Sequence, residues 1–454
     1  MSAEAKIIDF VCNTAYEDLS AAALETVRDM VRADVGTIIA GAYADGVGEL
    51  LETVREQGGA GEATVLVHGG TLPAQNAAFV NAVMSRALDF CDALAPGPHI
   101  GSSTIPVALA CAEWRGDCEG RELLTALAIG IEVAARFNLT EAAYDGFDPT
   151  GICVPFGATA TAARLLRLDR TQTWNALGIA FNRCGGSFQS NIDGTLSVRF
   201  NQGWVAQDAV TCARLAMKGI TGPANFIEGL YGYLHLYGKG LIPVDSIIGG
   251  LGEEDRLTQM VYKKYPSCGA TQGMSETLIG IMRENSLRSE NVAAVRLSLA
   301  PYSFKLVGHD FSIGDNPTVD GQFSAQYCIA NILLRGRSTM RHFMEDAVRN
   351  PAITPYLSKV SVSSDAALDA RGHTALDMEV ETTEGQVYRT SLDVAPGFPG
   401  NPLSREEHVQ RFRECLEFAE SWFPFDSTDD ILSAIDNLDS CQDVSSLVNL
   451  LLPG

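Results

Sequence analysis

The chain reads as mainly α: a large all-helical domain with a smaller α+β domain inserted ahead of the C-terminal helices. Three observations predict this class. Apolar residues recur at helical spacing through the first half, strand-like alternation appears only after Pro266, and helical spacing returns beyond Pro402. With 454 residues, 46% of them hydrophobic and 20% charged, the chain is long enough for two domains and a large buried core.

The elements follow in order. From Ser20, which stands where an N-cap belongs, Leu24, Val27, Val31, Val35 and Ile38 keep one apolar stripe. The same signal predicts helices over 76–88, 105–114, 122–137, 158–166, 171–180 and 207–217, whose many Ala and Gly residues imply close helix–helix packing. After Pro266, Val295, Leu297 and Leu299 alternate with Arg296 and Ser298, and Lys359-Val-Ser-Val makes another strand. Leu376-Asp-Met-Glu-Val and Val387-Tyr-Arg-Thr-Ser-Leu flank Glu384-Gly385 as the arms of a hairpin would. Helices over 273–285 and 323–334 complete this α+β unit. Past Pro396-Gly-Phe-Pro-Gly-Asn-Pro402, Ser404-Arg-Glu-Glu407 has capping-box spacing ahead of Val409, Phe412, Leu416 and Ala419. The expected organisation is a helical domain over 1–266, an α+β domain over 267–395, and helices over 396–454 that rejoin the first domain.

A formal charge of −23 argues against nucleic acid or an anionic membrane as partner, and requires a locally positive pocket for any anionic substrate. The first residues lack a basic start and apolar core, and Glu132 interrupts the apolar run Leu123–Ile131, so a soluble, cytoplasmic protein without a membrane partner is expected. Eleven cysteines show neither paired spacing nor a Cys/His cluster, which points to no disulfide framework and no metal site. No phosphate-binding loop, dinucleotide fingerprint or nucleophile elbow occurs at usable spacing. Catalysis by side chains alone, without a cofactor, is the expectation.

Four segments carry candidate chemistry. Ala87–Pro106 sets Asp89, Asp92, His99 and Ser102 in a Gly/Pro-rich connection between helices; the same residues also fit helix capping and a turn. Tyr144-Asp-Gly-Phe-Asp-Pro-Thr-Gly151 is a polar loop that also reads as a capped turn. Arg199, within Asp193–Gly203, has the planar fork suited to a carboxylate, and reads equally as a surface arginine paired with an acid. Lys263 and Lys264 lie in Tyr262–Gln272, at the expected domain junction, where repulsion between them would favour a neutral amine as base.

Leu88-Asp-Phe-Cys-Asp followed by His99-Ile-Gly-Ser resembles the aspartate-rich and His-Pro-Gly-Ser segments of the MmgE/PrpD family, and the resemblance covers nearly the whole chain. It implies a helical domain built from both chain ends, an inserted α+β domain, an active site between them, and a homodimer. The matches are partial. Asp148 stands where the family's dehydratases and decarboxylases have histidine, Val198 replaces a lysine, and Asn201 and Gln272 replace histidines, while Arg199 and Lys263 match.

Fewer proton-handling groups suit a simpler reaction. Among the family's activities the pattern points to epimerisation of an iminodisuccinate-like amino-polycarboxylate, a 1,1-proton transfer next to a carboxylate by an isomerase that needs an acid and a base on opposite faces. Lys263 and Tyr144 are the expected proton-transfer pair, assisted by His99. Arg199, Arg183, Lys264, Gln272, Ser102 and Asp92 form the expected binding set for a di- or polycarboxylate, with Asp92 also orienting His99 or its loop. The alternatives are a 2-methylcitrate-type dehydratase or related decarboxylase, and a non-catalytic dimeric binding protein.

Overall fold

A computed structural model describes residues 1–452. The fold is mainly α, and the chain forms two compact units, Met1–Met260 together with the segment from His408 onward, and Val261–Glu407.

The first unit is helical. Its scaffold comprises α1 (Ala21–Gly41), α2 (Ala74–Arg86), α3 (Gly101–Arg115), α4 (Gly120–Phe137), α5 (Pro149–Leu165) and α6 (Ser197–Met217). Ser20 caps α1 by accepting from the Ala23 amide at 3.0 Å. The small residues serve close approach: a Cβ on Gly130 of α4 would lie 2.7 Å from the Gly157 carbonyl of α5 and closer still to Thr161. Helix α5 starts well before the expected residue 158 because Asp148 accepts from the Thr150 amide at 2.9 Å and Pro149 fits the first helical position.

Glu132, the charge inside an otherwise apolar helix, is buried beside Arg136 at 2.5 Å and accepts from the Leu257 amide at 2.9 Å. Arg136 in turn donates to the carbonyls of Ile247, Gly249, Gly250 and Glu254, so the pair ties an irregular connection to α4 and is satisfied while buried. Among the described residues no helix is long and apolar enough to cross a membrane.

The second unit packs α7 (Gln272–Glu284) and α8 (Ala325–Arg335) on a four-stranded sheet of β1 (Val292–Leu299), β2 (Val360–Ser364), β3 (Leu376–Thr382) and β4 (Val387–Leu392). The order is β2-β1-β3-β4, with β1 parallel to β2 and antiparallel to β3. Val295, Leu297 and Leu299 are buried, and Arg296 on the other face pairs with Glu379 and Glu381 of β3. The β3–β4 hairpin turns at Gly385, whose φ of 82° is costly for other residues.

The units divide earlier than residue 266 and later than residue 395. The backbone bond from Tyr262 to Gly397 at 2.9 Å ties the two flanking segments together within the second unit. The capping box forms: Glu407 N–H donates to Ser404 Oγ at 3.2 Å, and Ser404 N–H to Glu407 Oε2 at 2.8 Å.

Candidate functional site

The connection between α2 and α3 is built around two acids. Asp89 sits in the left-handed region with φ 52°, which aspartate tolerates, and binds the buried Arg86 guanidinium at 2.6 Å. Asp92 is fully buried; its carboxylate accepts from the Ile100 and Gly101 amides, both at 3.0 Å, at the N-terminus of α3. The main-chain carbonyl of Asp92 lies 2.6 Å from His99 Nδ1. In neutral His99 this acceptor selects the Nδ1–H tautomer and leaves the lone pair on Nε2. The amide of His99 donates to Thr150 Oγ1 at 3.0 Å, so the start of α5 fixes the other end of the same residue. Ser102 is buried, with its hydroxyl 3.5 Å from the His99 carbonyl.

Residues from α5 and α6 adjoin this loop. Asp148, the cap of α5, has its carboxyl pushed up by burial, against the hydrogen bond from Thr150 and the charge of Arg86. The Gln202 side-chain amide donates to Thr150 Oγ1 at 3.3 Å and its main-chain carbonyl accepts from the Ser103 hydroxyl, joining α6 to α3 and α5. Arg199 donates to the Asp45 carbonyl at 2.8 Å, and its Nε is buried without a partner. Burial, and after it the charge of Arg86, pulls the Arg199 guanidinium down to about 10. A guanidinium so placed gains from an anion that restores the charge balance.

Other expected site residues are committed elsewhere. The Tyr144 hydroxyl donates to Asn138 Oδ1 at 2.6 Å and accepts from the Leu139 amide at 3.0 Å, while burial holds its pKa well above the usual value. In this structure the hydroxyl braces a turn. Gln272 clamps its own loop. Its amide donates to the carbonyls of Tyr265, Ser267 and Cys268, and its carbonyl accepts from the Tyr265 amide at 2.8 Å. Every polar group of this buried side chain is spent on the loop before α7.

Lys264 bridges Glu276 and Glu407, each at 2.7 Å. Burial opposes its charge, but the two carboxylates outweigh burial and raise its pKa, so it is neither a neutral base nor an unspent cation. Arg183 is exposed and paired with Asp208 at 2.9 Å, a surface ion pair. Lys263 is buried in the second unit, directly after Tyr262. His99, Asp92, Ser102, Tyr144, Arg183 and Arg199 belong to the first unit, and Lys263, Lys264 and Gln272 to the second.

Asp34, Arg86 and Thr150 were not legible as site residues from motif spacing alone. Asp34 carried a signal: it falls three residues after Val31 and four before Ile38, on the apolar face of α1, where an acid is expensive unless it has a partner.

A model of the MmgE/PrpD N-terminal domain matches residues 5–242, and one of the C-terminal domain matches residues 265–430. Cis-aconitate decarboxylase of Homo sapiens is 26% identical over 396 residues, which span 84% of this chain and 80% of that protein. Cis-aconitate decarboxylase of Mus musculus is 24% identical over 398 residues, spanning 84% and 79%. The cis-aconitate decarboxylase-like protein oryM of Aspergillus oryzae is 22% identical over 473 residues, spanning 98% and 96%. These relatives carry the names of lyases, and that finding overturns the expectation of an isomerase.

Proposed function

Because the chain belongs to the MmgE/PrpD family, we propose that it is a lyase of decarboxylase or dehydratase type acting on a di- or polycarboxylate. The names of its relatives make a cis-aconitate-like tricarboxylate the leading candidate substrate.

The observation that carries the reading is His99, held at Nδ1 by the Asp92 carbonyl in a loop anchored to three helices. Neutral His99 takes a proton at Nε2, and its imidazolium form returns one from the same atom. Either lyase reaction needs such a group. In dehydration a base removes the proton on the carbon next to a carboxylate while hydroxide leaves from the neighbouring carbon with a proton. In decarboxylation the bond to carbon dioxide breaks, its electron pair stays on carbon, and an acid delivers a proton there. Charge develops on the substrate in both, so cations near its carboxylates lower the barrier. Arg199, with an unpartnered Nε, suits that role, and Lys263 is the second candidate for moving a proton.

The test is to incubate the purified protein with cis-aconitate and, separately, with 2-methylcitrate. Carbon dioxide release from the first, or growth of double-bond absorbance with the second, is expected. Neither signal, with protein that melts cooperatively, would overturn the reading.

A homodimer is part of the same proposal. Among the described residues, eleven of the seventeen exposed large apolar side chains lie in 188–241, including Ile192, Trp204, Leu230 and Tyr231. Such a concentration is a mark of surfaces that become buried on association. Sedimentation as a monomer at micromolar concentration would contradict it.

A further inference from the structure

We propose that Asp34 is a positioning residue for His99, acting through Asp92. The inference rests on the reading that His99 works in the reaction, but its geometry stands apart from that reading. Asp34 lies in α1 and is fully buried. Its Oδ1 accepts from the Ser85 hydroxyl at 2.9 Å, and Ser85 is in turn 3.2 Å from Thr37 Oγ1. Its Oδ2 and the Oδ1 of Asp92 converge on the α-carbon of Gly101: a Cβ there would sit 2.2 Å from the first and 2.6 Å from the second. Only glycine lets the first turn of α3 press against both carboxyl groups.

Two carboxylates this close cannot both be charged in a buried site. Burial raises both carboxyls; after it, the charge of Asp92 raises Asp34 further, whereas the Gly101 and Ile100 amides oppose the rise at Asp92. Asp92 is favoured as the anion because two backbone amides at a helix N-terminus donate to it. Asp34 has one hydroxyl donor, and burial followed by the charge of Asp92 pushes its pKa well above the usual value. Asp34 is thus the acid that favours keeping a proton, on an Oδ2 that has no other hydrogen-bond partner and faces the same Gly101 position as Asp92 Oδ1. Arg411, stacked 4.2 Å over Phe90, balances the remaining charge.

The consequence for His99 is mechanical. Asp92 holds α3 with its side chain and His99 with its main-chain carbonyl, so freezing the side chain also freezes the carbonyl that selects the imidazole tautomer. Asp34 supplies that restraint from the far side of the loop.

The experiment compares Asp34→Asn and Asp34→Leu in the full chain. It reads kcat and KM for the lyase reaction together with the ¹⁵N shifts of His99 in histidine-labelled protein. An asparagine amide can donate to Asp92, so Asp34→Asn should keep the Nδ1–H signature and a near-normal kcat. Asp34→Leu should populate both tautomers and lose about 10²-fold in kcat with little change in KM, the scale set by a small misplacement of a reacting group. An unchanged His99 spectrum and kcat in Asp34→Leu would overturn the inference. Should Asp34→Leu not fold, Asp34→Asn decides it: retention of the signature supports the restraint, and its loss overturns it. Full activity of His99→Ala would instead defeat the functional reading, leaving the ¹⁵N shifts to judge the restraint alone.

Discussion

Two loops named by their motifs, 87–102 in the first unit and 262–272 in the second, are built on opposite plans. In the first, the Asp92 carboxylate and the Thr150 hydroxyl take the backbone amides of Ile100, Gly101 and His99, and the imidazole itself is oriented at Nδ1 by the Asp92 main-chain carbonyl. In the second, the candidate site residues are themselves the groups that hold. Gln272 spends all of its amide on the backbone of 265–268, and Lys264 is neutralised by two glutamates. A side chain that makes four bonds to its own loop has nothing left for a substrate.

The contrast can be broken most forcefully at His99. His99→Ala should lower kcat by about 10²- to 10⁴-fold, the usual contribution of a general acid or base, with an unchanged melting curve. A loss of stability with little change in kcat would erase the difference between the loops.

Gln272→Ala should act in the opposite way. Removing the amide strands the Ser267 carbonyl and the buried Tyr265 N–H, since the Tyr265 and Cys268 carbonyls keep backbone donors, and this costs about 2–3 kcal/mol in denaturant unfolding. Tyr144→Phe tests the same distinction inside the first unit. The Leu139 amide loses its acceptor, for about 1–2 kcal/mol of stability, while kcat stays near that of the parent. A collapse of kcat without a stability change would return Tyr144 to the chemistry. The smallest effect belongs to Lys264→Met: its pairs with Glu276 and Glu407 are partly solvent-exposed, so screening limits the change to about 1 kcal/mol or less, measured by thermal unfolding.

Much of the fold was legible because it rests on periodicity. The stripe from Leu24 to Ile38, the alternation at Val295–Leu299 and the Ser404–Glu407 capping box each map onto an observed element. Helix starts were less legible, since α5 begins at a cap and proline that precede its apolar run. Of the site, the His99 loop was visible as a motif, but the fate of Lys264, Gln272 and Tyr144 was not. Their partners are backbone groups or acids that only the folded chain brings near, and residue type cannot tell an amide that clamps a loop from one that waits for a ligand. Asp34 was hidden for the converse reason: its partner, Asp92, is far along the chain, and its only trace was an acid on an apolar face.

The most direct test of the central claim follows turnover of ¹³C-labelled cis-aconitate in deuterated water by NMR, with the parent protein and His99→Ala side by side. Labelled carbon dioxide and a product bearing one solvent deuteron are expected from the parent, and strongly reduced amounts of both from the variant. Equal rates of product formation by the two proteins would contradict that claim.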